Sequence, residues 1–198
     1  MRKRAFTLCL TVMLALAHFT WVAHGQTTAW FTLERWATQQ GNWIDGMLWF
    51  VGDFNGDGQQ DLATVWNDAG MISMDVQAST GTAFALQRWA TKQGALIDGM
   101  LWFVGDFDGD GKDDLAALWN DAGGISIDVH ASTGTAFTLQ RWATQQGNLI
   151  DGMLWFVGDF NGDGHDDLAD RWNDVGKITI DVFVAHVTYF VYLPVIIR

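Results

Sequence analysis

Residues 53–61 read Asp-Phe-Asn-Gly-Asp-Gly-Gln-Gln-Asp, and they separate two apolar stretches, Met47–Val51 and Leu62–Trp66. The same pattern, D-x-[DN]-x-D-G-x-x-D, returns at residues 106–114 and 159–167. Side-chain oxygens at its first, third, fifth and ninth positions converge on one point, and the backbone carbonyl at the seventh adds another. The glycine at the sixth position allows the sharp turn. Carboxylates this close repel each other, and calcium, which accepts about 6 to 8 oxygen ligands, relieves that repulsion.

Each loop therefore predicts one calcium site, so we expect the chain to bind about three ions. The predicted ligands are Asp53, Asn55, Asp57, Gln59 and Asp61, then Asp106, Asp108, Asp110, Lys112 and Asp114, then Asp159, Asn161, Asp163, His165 and Asp167. Asp-Gly and Asn-Gly also form plain hairpin turns, but three complete copies favour the metal. An EF-hand is excluded, because it needs flanking helices and a Glu at position 12, where Thr64, Ala117 and Asp170 stand. Asp170 is a candidate additional ligand of the third loop.

The loop belongs to a unit of 53 residues that repeats without a gap, starting at Phe31 and returning at Phe84 and Phe137. The first two copies are identical at 40 of their 53 positions. The third copy follows the pattern to Val182 and then departs into an apolar tail. Residues 26–184 therefore hold three repeats, followed by a C-terminal strand or tail; the bounds are 31–83, 84–136, 137–184 and 185–198.

Hydrophobic periodicity within one unit predicts four strands and no helix. Met47–Val51 is continuously apolar, as expected of a strand that is buried on both faces, and Leu62–Trp66 follows the loop. Apolar and polar residues alternate in Ile72–Val76, and the more polar Phe84–Trp89 is expected outermost. His130 is expected at an outward-facing strand position. The sequence thus predicts an all-β fold of three tandem four-stranded propeller-type blades, as an open fan or as half of a closed propeller.

The charge of the chain excludes several functional classes. There are 23 Asp plus Glu residues against 11 Lys plus Arg, and Glu34 is the only glutamate. A nucleic-acid-binding face would be basic, and a charged helix would be rich in glutamate. Since 49% of residues are hydrophobic, the chain is also not a disordered acidic one. Ten of the 23 acids are predicted ligands in the three loops, so much of the negative charge is local.

Residues 1–25 have the pattern of a secretory signal peptide. A basic start, Met1–Arg4, precedes the apolar stretch Ala5–Ala17, and small residues before Gln26 offer a cleavage site. The apolar stretch is shorter than the roughly 20 residues of a membrane-spanning helix. Cys9, the only cysteine, lies inside this segment, so the mature chain has no disulfide or thiolate metal ligand. We expect a secreted protein.

The motif Gly-Asp-Phe-Asn-Gly-Asp-Gly-x-x-Asp-Leu, followed by Trp-Asn-Asp and a glycine turn, resembles the FG-GAP/VCBS repeats. These repeats form blades in integrin-α propellers, in fungal and bacterial propeller lectins, and in appendages of secreted bacterial enzymes. The resemblance covers residues 31 to about 184. It implies a β-propeller-type fold, structural calcium in the loops, and a binding role such as cell adhesion or sugar recognition. The Phe-Gly and Gly-Ala-Pro segments of the integrin version are replaced by Val-Gly-Asp-Phe, so integrin-like ligand specificity is not implied.

Three blades are fewer than the 4 to 8 or so that usually close a propeller. Two chains are therefore expected to form a six-bladed ring, or one chain an open fan with apolar faces exposed at its ends. The third repeat also lacks its own copy of the outer strand. Three sources are open: Phe31–Trp36 of the same chain, the same segment of a partner chain, or the tail His186–Tyr192.

Arg-Trp pairs recur once per repeat and are weak candidates for ligand binding, because aromatic rings and nearby polar groups can bind a sugar. They are Arg35 and Trp36, Arg88 and Trp89, and Arg141 and Trp142. The alternative is that these tryptophans pack between blades. Trp49, Trp102 and Trp155 are expected in the core, and Trp66, Trp119 and Trp172 are expected to pack as well.

No serine triad, catalytic carboxylate pair, phosphate loop or zinc spacing is present, so we expect no enzyme. The sequence predicts a secreted calcium-binding module that binds a carbohydrate or an extracellular protein. A purely structural or assembly module and an accessory fragment of a secreted hydrolase are the alternatives. No nucleic-acid partner is expected, nor a membrane span after signal cleavage, and a homodimer is an option.

Overall fold

The computed structural model describes residues 30–186. The predicted signal peptide, residues 1–25, and all of the tail beyond His186 lie outside these residues. The chain divides into two units after Glu34. Of the first unit, residues 30–34 are described; they form no strand, and Trp30, Phe31 and Leu33 are exposed. All the strands belong to the second unit.

The second unit is all-β, with eleven antiparallel strands and no helix among the described residues. Sheet 1 consists of β1 Leu48–Gly52, β2 Asp61–Asp68, β3 Met71–Ser79 and β4 Phe84–Ala90. Sheet 2 consists of β5 Leu101–Gly105, β6 Asp114–Asp121, β7 Gly124–Ser132 and β8 Phe137–Gln146. Sheet 3 has β9 Leu154–Gly158, β10 Asp167–Asp174 and β11 Lys177–Phe183. Since no helix occurs in residues 30–186, none there has the length and apolarity to cross a bilayer.

Each sheet is a meander of neighbouring strands in chain order, and sheets 1 and 2 take their fourth strand from the start of the next repeat. In sheets 1 and 2 the fourth strand is outermost, as predicted. The expectation of three four-stranded blades is met only in part, because sheet 3 has three strands among residues 30–186. The array formed by these residues is not closed. Among the described residues no strand pairs with the free edge of β11.

The turn between the second and third strand of each repeat is set by its sequence. Asn67 Oδ1 accepts a hydrogen bond from Gly70 N at 2.6 Å, and Ala69 and Gly70 have φ of 57° and 84°. Two successive residues with positive φ are the signature of a tight hairpin turn that matches the strand twist. Asn120 and Asn173 make the same bond, so this turn is repeated in sheets 2 and 3.

Each sheet buries apolar side chains against the next one. Between sheets 1 and 2 the cluster includes Phe54, Val65, Met74, Leu115 and Phe137. A second cluster between sheets 2 and 3 has the corresponding members Phe107, Leu118, Ile127 and Leu168. Because every member is contributed by strands or loops of adjacent repeats, the stabilisation is of the nearest-neighbour kind typical of repeat proteins.

Two sequence expectations about burial were wrong. The strand within Met47–Val51 is not buried on both faces: Trp49 is 42% and Val51 57% exposed, because sheet 1 is the first of the array and no described sheet covers that face. Trp49 is therefore not a core residue, whereas Trp102 and Trp155 pack against the clusters. His130 is fully buried rather than outward-facing, since its ring stacks on Trp102 at 5.6 Å. Burial lowers the pKa of His130 to about 4.

Candidate metal centre

The first aspartate of each loop organises the backbone around itself. The carboxylate of Asp53 accepts hydrogen bonds from three backbone N–H groups, those of Gly56 at 2.8 Å, Asp57 at 3.0 Å and Gly58 at 2.7 Å. The two glycines have φ of 74° and 85°, a region that other residues rarely adopt. Asp106 and Asp159 accept the equivalent bonds from Asp110 and Gly111 and from Gly162, Asp163 and Gly164. The loop is therefore wrapped around this carboxylate in all three copies.

The ninth residue of the first two loops presents a buried carboxylate oxygen with no partner. Asp61 and Asp114 open β2 and β6, and both are fully buried. One oxygen of each accepts a hydrogen bond at 2.7 Å, from Ser79 N and Ser132 N respectively. The second oxygen of each carboxylate, Oδ2, has no hydrogen-bond partner. A buried carboxylate oxygen without a donor is costly, and a bound cation is one way to satisfy it.

The second loop brings three carboxylates together. Asp106, Asp108 and Asp114 each place one ligand oxygen within 4.8 Å of the others, an arrangement that could hold a metal ion. Burial, and then repulsion from the neighbouring aspartates, raises the pKa of Asp114 to about 8. The pKa of Asp108 is raised as well, first by burial and next by the charge of Asp110. Without a cation, the loop thus holds more negative charge than its surroundings favour.

The first and third loops carry an asparagine at the third position, which changes their internal bonds. Asn55 Nδ2 donates to Asp57 Oδ2 at 3.1 Å, and Asn161 Nδ2 donates to Asp163 Oδ2 at 2.9 Å. In the third loop the ninth residue, Asp167, also uses its Oδ2 to accept a bond from Phe160 N at 3.2 Å. That oxygen already accepts a hydrogen bond, whereas the Oδ2 of Asp61 and of Asp114 accepts none.

The seventh position supplies no side-chain acid in any copy. The N–H groups of Gln59, Lys112 and His165 each donate to the aspartate at the fifth position. In the second loop Lys112 Nζ also lies 2.5 Å from Asp110 Oδ2, and this contact raises the pKa of the lysine. The predicted role of these three residues as carbonyl ligands stays a prediction, as does the ligation of Asp110 and of the first and third loops.

The eighth loop position has a role that the sequence reasoning missed. Asp113 Oδ2 accepts a bond from Asp53 N at 2.6 Å, and Asp166 Oδ2 accepts one from Asp106 N at 3.0 Å. Each bond ties a loop to the corresponding loop of the preceding sheet. A signal was present, since the second and third copies have Asp there whereas the first copy, which has no preceding repeat, has Gln60.

Arg88 and Trp89 lie in β4 and Arg141 and Trp142 in β8, whereas Arg35 and Trp36 lie in no strand. Trp89 is 4% exposed, and its ring centroid lies 5.2 Å from that of Phe137. Arg88 pairs with Asp75 and Arg141 with Asp128. Trp36 packs on Phe84, and Trp142 borders the second apolar cluster. Arg35 is exposed. The structure does not bring these residues together into one site.

Comparison of the chain with protein-family models gives no match, and comparison with curated proteins gives none either. The resemblance to FG-GAP/VCBS repeats consequently rests on the loop motif and the repeat pattern alone.

Proposed function

We propose that the chain is a secreted, calcium-stabilised repeat module of the FG-GAP/VCBS type that acts by binding rather than by catalysis. The observation that carries the proposal is the cluster of Asp106, Asp108 and Asp114, with the buried and unpartnered Oδ2 of Asp114 within it. A hard cation would satisfy that oxygen and neutralise the repulsion that raises the pKa of Asp114.

Calcium fits this donor set better than the other common divalent ions. The described loop offers carboxylates and backbone carbonyls and neither sulfur nor imidazole nitrogen in its predicted ligand set, which disfavours zinc and copper. Magnesium demands a compact octahedron, whereas a nine-residue loop with glycines at positive φ suits the larger and more adaptable calcium shell. The aspartates therefore select a hard ion, and the loop size favours calcium.

Elemental analysis of the purified secreted chain gives the first test, because it counts calcium per chain directly. Millimolar calcium should raise the melting temperature, and a chelator should lower it, since extracellular sites of this type bind at about 0.1 to 1 mM. Asp114→Asn should remove the part of that response that comes from the second loop. Asp98→Asn is the matched control, because Asp98 is an exposed aspartate outside the loops and should keep the full response. An identical calcium response in both variants would contradict the proposal.

A protein surface is better supported as the ligand than a carbohydrate. Ile178 of sheet 3 is 74% exposed, while its counterpart in sheet 2, Ile125, is 1% exposed. Phe156, Leu154 and Ile180 on sheet 3 are similarly exposed. A contiguous exposed apolar surface of this kind usually marks a protein interface. By contrast, most aromatics proposed for sugar stacking pack inside the chain. Defined binding on a glycan array in millimolar calcium would overturn this preference.

A further inference from the structure

Among residues 30–186, sheet 3 lacks the fourth, outer strand that sheets 1 and 2 have at the corresponding edge. In those sheets the outer strands β4 and β8 begin at Phe84 and Phe137, and each carries an arginine four residues later. Among residues 30–186, the edge of β11 that faces away from β10 has no paired strand. One strand of the repeat is thus missing from its expected position.

The arginine of each outer strand fills a two-part site on its own sheet. In sheet 1 the Nε of Arg88 donates to Asp75, and the guanidinium lies 4.7 Å from the ring centroid of Trp66. Sheet 2 repeats the arrangement at 4.6 Å with Arg141, Asp128 and Trp119. Both aspartates are 9% exposed, whereas the arginine side chains are 51% and 45% exposed, so the carboxylate is buried and the guanidinium reaches solvent. Carboxylate and aromatic ring together form a guanidinium site.

Sheet 3 has this site without an arginine. Asp181 and Trp172 are the repeat counterparts of Asp128 and Trp119. Asp170 lies directly beside Asp181 in the strand register, is 1% exposed, and has no hydrogen-bond partner for either carboxylate oxygen. Two carboxylates therefore lie side by side with no cation. The repeat counterpart of the arginine within the chain is Pro194, which supplies no charge.

The sequence of the missing strand occurs at the start of the first repeat. Residues 31–36 read Phe-Thr-Leu-Glu-Arg-Trp, and β8 begins Phe-Thr-Leu-Gln-Arg-Trp. Phe31 is 94% and Leu33 100% exposed. Arg35 is exposed and has no ion-pair partner within residues 30–186. An outer-strand sequence is thus present with Phe31 and Leu33 in solvent.

The segment after residue 35 contacts the start of β4 in the same way that the end of β4 and the residues after it contact the start of β8. Trp36 lies 5.7 Å from Phe84, and Gln40 Nε2 donates to the carbonyl of Phe84 at 2.9 Å. The junction of sheets 1 and 2 has the same two contacts, at 5.2 and 3.0 Å, from Trp89 and Gln93 to Phe137. Trp89 belongs to β4, the outer strand of the sheet that precedes sheet 2. By the same contacts, Trp36 lies where the end of an outer strand of a sheet preceding sheet 1 would lie. No sheet precedes sheet 1 within residues 30–186.

We propose that residues 31–36 of a second copy of this chain add to the free edge of β11 as the fourth strand of sheet 3, with Arg35 of the second copy on Asp181 and Trp172. This inference rests on the protein-binding role proposed for the exposed surface of sheet 3. The register follows β3 and β4, where Asp75 pairs with Arg88 and Ser79 with Phe84. In sheet 3 that register sets Asp181 opposite Arg35 and Ala185 opposite Phe31.

A cavity of about 870 Å³ beside β11 fits the first residue of the added strand. It is lined by Phe107, Trp142, Gln146 and Phe183 among others. At the preceding junction, Phe137 packs on Phe54 and Trp89, the counterparts of Phe107 and Trp142. Phe31 of the second copy would occupy this cavity, and its carbonyl would accept from Gln146, as that of Phe137 does from Gln93.

Sedimentation of the purified secreted chain in millimolar calcium, over about 1 to 100 µM, tests the pairing by mass action. We expect the average mass to rise above that of one chain as concentration increases. Arg35→Asp and Asp181→Arg should each weaken association about tenfold or more, because each places like charges opposite one another. Lys177→Asp, a charge reversal in the exposed β10–β11 hairpin, is the control and should associate like the natural chain.

Mixing the two charge-reversed variants gives the decisive result. In a pair of one Arg35→Asp and one Asp181→Arg chain, both junctions again join an arginine to an aspartate, so association should recover. The double variant should also self-associate. The proposal would be overturned if neither the mixture of variants nor the double variant associated. The calcium content per chain is measured on the same samples. If only the pairing is wrong, the chains still bind calcium as proposed, so failure of the pairing is distinguished from failure of the calcium proposal.

The competing occupant is the chain's own tail, residues 187–198. If the tail takes the edge of β11, the natural chain should remain a single chain at every concentration, and deletion of residues 187–198 should create association. That pair of results would also overturn the proposal. If a second copy is the occupant, the deletion leaves association in place and both charge reversals still weaken it.

Discussion

The carboxylate of Asp166 accepts a hydrogen bond from the backbone N–H of Asp106 at 3.0 Å, and the Asp166 N–H donates one to the carbonyl of Asp106 at 2.8 Å. This reciprocal pair joins the loop of sheet 3 to the loop of sheet 2. Asp113 and Asp53 form the same pair between sheets 2 and 1. The aspartate loops and the contacts between sheets are therefore parts of one hydrogen-bonded chain of loops.

Asp166→Ala should destabilise the protein even when calcium saturates the loops. The substitution leaves Asp106 N without its acceptor, and a lost hydrogen bond to a charged group costs about 1.5 to 3 kcal/mol. For a chain of this size that corresponds to a fall in melting temperature of roughly 3 to 12 °C, which calorimetry in millimolar calcium would measure. Gln60→Ala is the control, since position 60 has no preceding loop in the chain, and a loss as large there would contradict this reading.

Gly105→Ala should destabilise through contact with the next sheet. A Cβ at Gly105 would lie 2.8 Å from both Asp166 Oδ2 and Val157 Cγ1, which is closer than real contacts allow. Overpacking of this kind costs about 1 to 3 kcal/mol. Gly158, its counterpart in sheet 3, has no atom nearer than 3.6 Å to such a Cβ. Urea unfolding should show Gly158→Ala near neutral and Gly105→Ala clearly weaker; equal effects would refute the explanation.

The elements of the fold could be predicted from the sequence because period-2 alternation and the turn residues are local signals. The four strands of repeats 1 and 2 lie where hydrophobic periodicity placed them. Burial could not be predicted in the same way, because it depends on which sheet comes next. Trp49 and Trp102 occupy the same repeat position, but Trp49 is 42% exposed while Trp102 packs against the core between sheets 1 and 2.

The loop positions of the candidate metal centre were also readable from the sequence, since oxygen donors at fixed spacing imply convergence. What the sequence did not reveal is that the loops differ. Asp167 turns one oxygen to Phe160 N, whereas the same oxygen of Asp114 has no partner. That difference arises from side-chain orientation within identical motifs. The sequence shows an additional charge at Asp108, where the other loops have Asn. Its effect on the pKa of Asp114 could be known only from the distances between the carboxylates.

Calcium-dependent stability should vary with pH in a direction set by Asp114. Its pKa in the folded chain is about 8, above the ordinary value of 3.8, so the folded state binds this proton more tightly than the unfolded state does. Without metal, the contribution of Asp114 is most favourable at low pH and is lost as pH rises toward 8. Because calcium must displace the proton, the calcium-induced rise in melting temperature should grow over the same interval.

Melting curves of dialysed and calcium-loaded protein at about pH 5 and pH 8 measure this dependence. Asp114→Asn should reduce the pH dependence of the calcium increment, whereas the exposed Asp98→Asn should retain it in full. A calcium increment that is larger at pH 5 than at pH 8 in the natural chain would show that Asp114 does not govern the site.

Asp170→Thr should stabilise the chain. Asp170 is 1% exposed with neither carboxylate oxygen bonded, and Thr64 occupies the same position in sheet 1, where its hydroxyl donates to Asp75 O at 3.3 Å. Burial, and then the charge of Asp181, raises the pKa of Asp170 to about 6. The folded state therefore holds the proton more tightly, and the ionised carboxylate opposes folding mainly above pH 6. We expect a gain of about 1 to 3 kcal/mol there.

Urea unfolding at about pH 5 and pH 8, at concentrations below those at which chains associate, tests this prediction. The advantage of Asp170→Thr should be larger at pH 8 and should shrink as pH falls from 6 toward 4, because protonation relieves the natural aspartate over that interval. Asp174→Thr, an exposed change at the end of the same strand, is the control and should show no such trend. A loss of stability at pH 8 would mean that Asp170 makes a favourable interaction, as it would if it were a ligand in the third loop.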